Sequence, residues 1–173
     1  TGLTEAETAA AGEDAHRLDV RDGAAVEAFF AQFETLHGLV NAAGMTGSGD
    51  PENIALFEQV IDVNLTGTMR ACLAAKPALV AGGGAVVNLA SVLGFVGSAR
   101  AIAYAASKGG VVNLTRALAA AWAETGVRVA AVAPGYIETP MTALVRQSPE
   151  LEARVIDRAQ MHRWGTPDEI AQM

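Results

Sequence analysis

The sequence predicts an α/β fold in which a doubly wound parallel sheet is covered by helices, and three observations predict it. Short aliphatic runs alternate with longer helical stretches along the chain, the order that builds parallel sheets. Hydrophobic residues make up 51% of the chain but aromatics only 5%, as suits strands buried on both faces. Polar or glycine residues close the strand-like runs at Asp19, Asn41–Gly44, Ser91 and Pro134–Gly135. Sheets of this class bind ligands at those carboxyl ends.

Each element follows in order. HRLDV (His16–Val20) reads as a strand, and Arg21–Gly38 as an amphipathic helix with Val26, Phe29, Phe30 and Phe33 on one face. LVNAAG (Leu39–Gly44) is a strand entering a turn, and Thr46–Pro51 is a loop rich in turn formers. Asn53 to Ala81 is one long helical segment, closed by Gly82, Gly83 and Gly84. Those glycines precede a strand rather than open a helix, so they form a turn and no phosphate cradle. AVVNLAS (Ala85–Ser91) is the next strand, and Ala103 to Thr125 the second long helix. VRVAAVAP (Val127–Pro134) is the last strand, and the chain from Tyr136 is helical and polar. A single domain over residues 1–173 is expected.

Charge and composition narrow the function. The net charge of −7 repels phosphate backbones, which argues against nucleic acid as a partner. No apolar run is long enough to span a bilayer, and the opening TGLTEAETAA is too polar for a signal peptide. Cys72 is the single cysteine, so no internal disulfide can form and a cytoplasmic location is expected. It reads as a small buried residue rather than a reactive thiol. His16, His37 and His162 are scattered, so no metal site is expected.

The chemistry points to one helix. Tyr104 and Lys108 are four residues apart and so share a face. An ammonium there favours phenolate, lowers the tyrosine pKa and makes Tyr104 a usable acid and base. The plainer alternative is a packed ring beside a solvated charge. Gly109 and Gly110 inside this helix cost about 1 kcal/mol each relative to alanine. Either something packs closely on both sides, such as a nicotinamide and a partner helix, or the helix lies tightly on its own sheet. Ser91 ends a buried strand and can donate to a carbonyl oxygen, or else caps the following turn. Asn64 sits in DVNLTG within a helical segment, where its amide competes for backbone bonds. It marks either a kink, a solvent-facing position or a distortion that holds a relay water near Lys108.

NAAG, VNLTG, NLAS, YAASK and VAPGYIETPM, in this order and spacing, resemble the short-chain dehydrogenase/reductase family, and within it the 3-oxoacyl-carrier-protein-reductase-like members. The resemblance covers His16 to Met173 and implies a Rossmann-like sheet. It implies Asn64, Ser91, Tyr104 and Lys108 as the catalytic set, with NAD or NADP as cofactor and an alcohol or ketone as substrate. Asp19 and Val20 would meet the adenine, and Asn41, Ala42, Ala43 and Gly44 the adenine-side ribose. Pro134, Gly135, Ile137 and Thr139 would cradle the nicotinamide and its phosphate, and Lys108 would hold the nicotinamide ribose. Read without the resemblance, Asp19 is a helix N-cap and Pro134–Gly135 a turn. The two long helices would form a homodimer or homotetramer interface. Met141–Met161 resembles the family's substrate lid, or else is an ordinary amphipathic helix pair.

The family usually opens on a strand and a TGxxxGIG-type loop, which nothing here matches, and it continues past GTPDEIAQM. The chain therefore reads as lacking the first two strands and the last strand. Two expectations follow. HRLDV re-pairs against LVNAA or is held loosely, and this chain alone binds cofactor weakly or not at all. The alternative function is a non-catalytic relative that serves only in assembly.

Overall fold

The structure is a computed structural model and describes residues 14–47 and 49–173. The reading of the opening decapeptide lies outside these residues. Three strands, β1 (Gly38–Asn41), β2 (Ala85–Leu89) and β3 (Arg128–Val132), form a parallel sheet in the order β1-β2-β3. Helix α1 (Gly23–Phe30) precedes β1. Helix α2 (Ile54–Ile61), a π turn (Asp62–Thr66) and α3 (Gly67–Gly82) join β1 to β2. Helix α4 (Ile102–Ala121) joins β2 to β3. Three short helices follow: α5 (Ala143–Arg146), α6 (Pro149–Arg158) and α7 (Pro167–Ala171).

Local chemistry sets these boundaries. Asp22, not Asp19, caps α1, its carboxylate accepting from the Ala25 N–H at 3.0 Å. Asn53 caps α2 by accepting from the Leu56 N–H at 3.0 Å. Gly83, at φ 60°, closes α3 in the left-handed conformation that spares glycine the Cβ penalty. Gly84 N–H then returns to the Leu79 carbonyl at 2.9 Å, so β2 begins where the glycine triplet ends.

Register places the core. Leu39, Val86 and Val129 are paired across the three strands and point to one face. There they meet Val26 and Phe30 of α1, Cys72, Ala75 and Leu79 of α3, and Leu118 of α4 with Trp122 beyond it. Val26, Leu79 and Val86 have no exposed surface, and each such side chain stabilises the fold by roughly 1.5–3 kcal/mol. One step further along the strands, Asn41, Asn88 and Ala131 share this face. Asn41 donates to Asn88 Oδ1 at 2.9 Å, and Asn88 donates to Thr115 Oγ1 at 3.0 Å, so the buried amides are paired rather than stranded. On the opposite face Val40 is 64% exposed.

HRLDV departs from expectation. It forms no strand and does not pair with β1, which stands at the sheet edge with β2 as its one partner strand among the described residues. Nor does it hang loose. His16 stacks edge-on to Phe29 at 5.6 Å, and Leu18 packs against the core. Val20 lies so close to α3 that a Cβ on Gly67 would stand 2.6 Å from its Cγ2. Burial against the helices holds the segment, in which Arg17 alone takes part in a β-bridge.

Candidate active site

The carboxyl end of β2 is the centre of the site. Ser91 follows that strand, is 7% exposed, and accepts from the Leu93 N–H at 3.2 Å. It therefore caps the 3₁₀ turn Val92–Gly94 and still stands beside the Tyr104 phenol, whose proton affinity it lowers. One helical turn after Tyr104, Lys108 is buried at 5% exposure, and its ammonium donates to the Leu89 carbonyl. That ammonium lies 5.7 Å from the centre of the Tyr104 ring.

The electrostatics differ from the expected acidified phenol. Burial pushes the Tyr104 pKa above its ordinary value, and the Ser91 hydroxyl opposes the rise only in part. Desolvation also lowers Lys108 to about 8. Removal from water disfavours the charged form of both groups, and the ammonium is spent on a strand-end carbonyl rather than on the phenol. In this state Tyr104 is a protonated phenol, the form that donates.

Asn64 lies in the π turn between α2 and α3 and is fully buried. π turns recur at functional sites because they re-aim a side chain inside a helix. Its Oδ1 accepts from the Met45 N–H at 2.8 Å, and its Nδ2 donates to the Met45 carbonyl at 2.9 Å. The second amide hydrogen goes to Ser107 Oγ at 2.9 Å. Of the readings open for a mid-helix asparagine, the solvent-facing one is excluded. Ser107, also fully buried, donates in turn to the Tyr104 backbone carbonyl at 2.7 Å. Sequence reasoning did not single out Ser107; its signal was a hydroxyl set for i−3 back-bonding one residue before Lys108.

Gly44 joins this cluster to a cleft. A Cβ at Gly44 would stand 3.4 Å from Asn64 Oδ1 and 3.7 Å from Lys108 Nζ. The cleft has a volume near 910 Å³ and is lined by Asp19, Val20, Asn41, Ala42, Ala43 and Gly44 among others. The residues expected on the adenine side of a dinucleotide thus share one cavity, and its small side chains leave room for a planar ligand. Asp19 is held by Arg21, with Nη2 to Oδ2 at 2.6 Å, and its pKa is lowered by that pairing.

Pro134, Gly135, Ile137 and Thr139 follow β3 and lie outside that cavity lining. Pro134 stands beside the turn that follows β2, its carbonyl accepting from the Val92 N–H at 3.0 Å. A Cβ at Gly135 would meet nothing within 4 Å, so that side is open. Ile137 instead pairs with Gly165 in an isolated parallel bridge, and Thr139 caps the turn that begins the lid-like region. That region holds α5 and α6, with Leu144 80% exposed and Val155 buried.

The helix glycines serve packing within the chain. A Cβ on Gly110 would stand 2.7 Å from Leu65 Cδ2, and Gly109 is tight against the Gly94 carbonyl. Neither needs a second subunit to explain it. Cys72 is fully buried, and burial raises its thiol to about 11. Among the described residues no three histidine, cysteine or acidic side chains gather as metal ligands, and no helix is long and apolar enough to cross a membrane.

With this geometry in view, relatives decide the family. The profile of a family described as enoyl-(acyl carrier protein) reductase matches residues 2–173. The chain belongs to the short-chain dehydrogenase/reductase family. The 2-(R)-hydroxypropyl-CoM dehydrogenase of Xanthobacter autotrophicus is 38% identical, over 90% of this chain and 66% of its own length. The galactitol 2-dehydrogenase of Cereibacter sphaeroides is 45% identical, over 88% of this chain and 63% of its own length. The crystal structure of gox2181 superposes with a TM-score of 0.90 at 31% identity, covering 98% of this chain and 74% of that one. The chain thus spans about two thirds of the length of these curated relatives. Its three parallel strands are a portion of the family's Rossmann-like sheet.

Proposed function

We propose that this chain is the catalytic portion of an NAD(P)-dependent oxidoreductase that moves a hydride between the nicotinamide and an alcohol or ketone. One observation carries the reading. Ser91, Tyr104, Lys108 and Asn64 meet at the end of β2, and Gly44 opens that cluster into the cleft lined by Asp19, Val20 and Asn41–Gly44.

The residues divide the work. Asp19 and Val20 would hold the adenine end, and Asn41–Gly44 the ribose beside it, where small side chains permit close approach. Lys108 would reach the nicotinamide ribose by exchanging its Leu89 carbonyl for a ribose hydroxyl. Pro134, Gly135, Ile137 and Thr139 would flank the nicotinamide end. When bound, the reduced cofactor supplies a hydride to the carbonyl carbon. Ser91 donates a hydrogen bond to the substrate oxygen and fixes it in front of Tyr104. Tyr104, protonated in this state, gives its proton to that oxygen as charge develops there. Lys108 stabilises the phenolate left behind, and Asn64 sits where the replacement proton would arrive. In the oxidising direction Tyr104, as the phenolate, takes the proton back.

Substrates of this class are small alcohols and ketones, and the exposed Met141 and Leu144 of the lid-like region suit a partly apolar one. The apolar Leu73 and Val80 on the outside of α3 support association of two or four copies through the long helices.

The test is hydride transfer by the full-length protein, followed by nicotinamide absorbance with secondary alcohols and ketones and with both cofactors. We expect turnover in the wild type and a loss of about 10²–10⁴-fold in Tyr104→Phe, with cofactor binding retained. A wild type that binds neither cofactor and turns over nothing sinks the reading and leaves assembly as its role.

A further inference from the structure

We propose that Ser107 is a positioning residue, which holds the Asn64 amide beside the Lys108 ammonium by tying it to the backbone of the Tyr104 turn. The inference rests on the reading of Tyr104, Lys108 and Asn64 as one reacting set.

Proton counting carries the argument. A hydroxyl has one proton, and a carbonyl can only accept. Ser107 Oγ lies 2.7 Å from the Tyr104 carbonyl, so its proton goes there. Toward Asn64 Nδ2, at 2.9 Å, it can then only accept. The Asn64 NH2 group must therefore face α4, with its other hydrogen on the Met45 carbonyl and its Oδ1 on the Met45 N–H. The Met45 backbone dictates the same sense from the opposite side. A flipped amide would set donor against donor at Met45 and offer Ser107 an acceptor when no proton is left. Asn64 and Ser107 are both fully buried, so water cannot step in, and mispairing would be costly.

The consequence falls on Lys108. Asn64 Oδ1 and Lys108 Nζ both stand against the same point at Gly44, 3.4 and 3.7 Å from the place of its missing Cβ. The amide oxygen, which accepts from the Met45 N–H, and the ammonium thus flank one point of the backbone. The other groups around that ammonium are the Leu89 carbonyl and the Tyr104 ring. Burial lowers its pKa. Ser107 lies on the turn between Tyr104 and Lys108, where a single hydroxyl joins the π turn to the helix that carries both.

The same helix provides a matched control. Thr115 is also a buried hydroxyl, donating to the Val111 carbonyl at 2.7 Å and accepting from Asn88 Nδ2 at 3.0 Å. It has similar local chemistry but is tied to Asn88 and through it to Asn41, not to Asn64. Lys76 and Lys108 are the two lysines of the chain, so isotope-labelled lysine yields two titrating signals by NMR. We expect Ser107→Ala to lower the Lys108 midpoint by about half a pH unit or more, because the loosened carbonyl no longer favours the charged form. Thr115→Val should leave that midpoint in place, although both variants melt earlier than the wild type. Lys76, which sits over the Trp122 ring, is the internal reference. An unchanged Lys108 midpoint in Ser107→Ala, or an equal displacement in Thr115→Val, overturns the proposal. Should Ser107→Ala fail to fold, Ser107→Cys, which keeps a weaker donor and acceptor, is read the same way with a smaller displacement. Neither cofactor nor substrate enters the titration. A wild type without hydride transfer would sink the enzymatic reading, and the coupling through Ser107 would still be measured.

Discussion

Gly94 lies against the backbone of Lys108 so closely that a Cβ on the glycine would stand 2.8 Å from the lysine carbonyl carbon and oxygen. The 3₁₀ turn after Ser91 thereby seats directly on α4, which sets the distance between Ser91 and Tyr104. The obstacle is helix backbone, which cannot rotate aside. We expect Gly94→Ala to cost about 1–3 kcal/mol and to lower turnover by displacing Ser91. Gly97 belongs to the same loop, and a Cβ there meets nothing within 4 Å. Gly97→Ala should match the wild type in denaturant midpoint and rate. Equal effects of the two substitutions would show that the contact does not set the site.

The buried lysine gives stability a definite pH dependence. Lys108 is lowered from 10.5 to about 8 by desolvation, so the unfolded chain binds more protons between these values. Stability from this group therefore rises with pH through that window, as the buried ammonium is relieved of its charge. Tyr104 acts in the opposite sense: its raised pKa favours the folded phenol, and that contribution is lost as pH climbs above 10. Cys72, raised from 9.0 to about 11, likewise costs stability across its own window. Comparing wild type with Lys108→Met cancels most of those shared terms. We expect the difference in unfolding free energy to shift in favour of the wild type by on the order of 1–3 kcal/mol between pH 7 and pH 10. A pH-independent difference would mean that Lys108 titrates as an exposed lysine does.

Cys72 should be chemically silent. The thiolate is the reactive form, and here the thiol is fully buried, with its pKa pushed to about 11 and the Asn41 amide 3.3 Å away. A thiol reagent at neutral pH should label the denatured chain completely and the folded chain at a rate set by unfolding. Rapid labelling of the folded protein would contradict the packing of α3 on the sheet.

Asn64 should be costly to lose for structural reasons alone. Its side chain makes three hydrogen bonds in a dry setting. Asn64→Ala would strand the Met45 backbone and the Ser107 oxygen. We expect a loss of about 2–4 kcal/mol on thermal or chemical unfolding, together with lower turnover. A near-neutral effect on stability would mean that water enters the π turn.

The linear chain by itself determined the order of elements, the family and the residues of the candidate set. These depend on periodicity and on ordered motifs such as VNLTG, NLAS and YAASK, both of which are local properties of a chain. It also placed the ends of the Asn53–Ala81 segment, because Asn53, Gly83 and Gly84 act on their immediate neighbours, but it carried the first helix on to Gly38 where the structure ends it at Phe30. Tertiary structure decided the rest. It turned His16–Val20 from a strand into a segment docked on α1 and α3, with a single bridge residue at Arg17 and apolar contacts to the helices from His16, Leu18 and Val20. It reversed the expected sign at Tyr104, since spacing along a helix puts an ammonium nearby but cannot say how much water burial removes or which carbonyl the ammonium prefers. It also brought Ser107 to Asn64 across 43 positions of sequence, a contact that exists only because α4 packs onto a π turn.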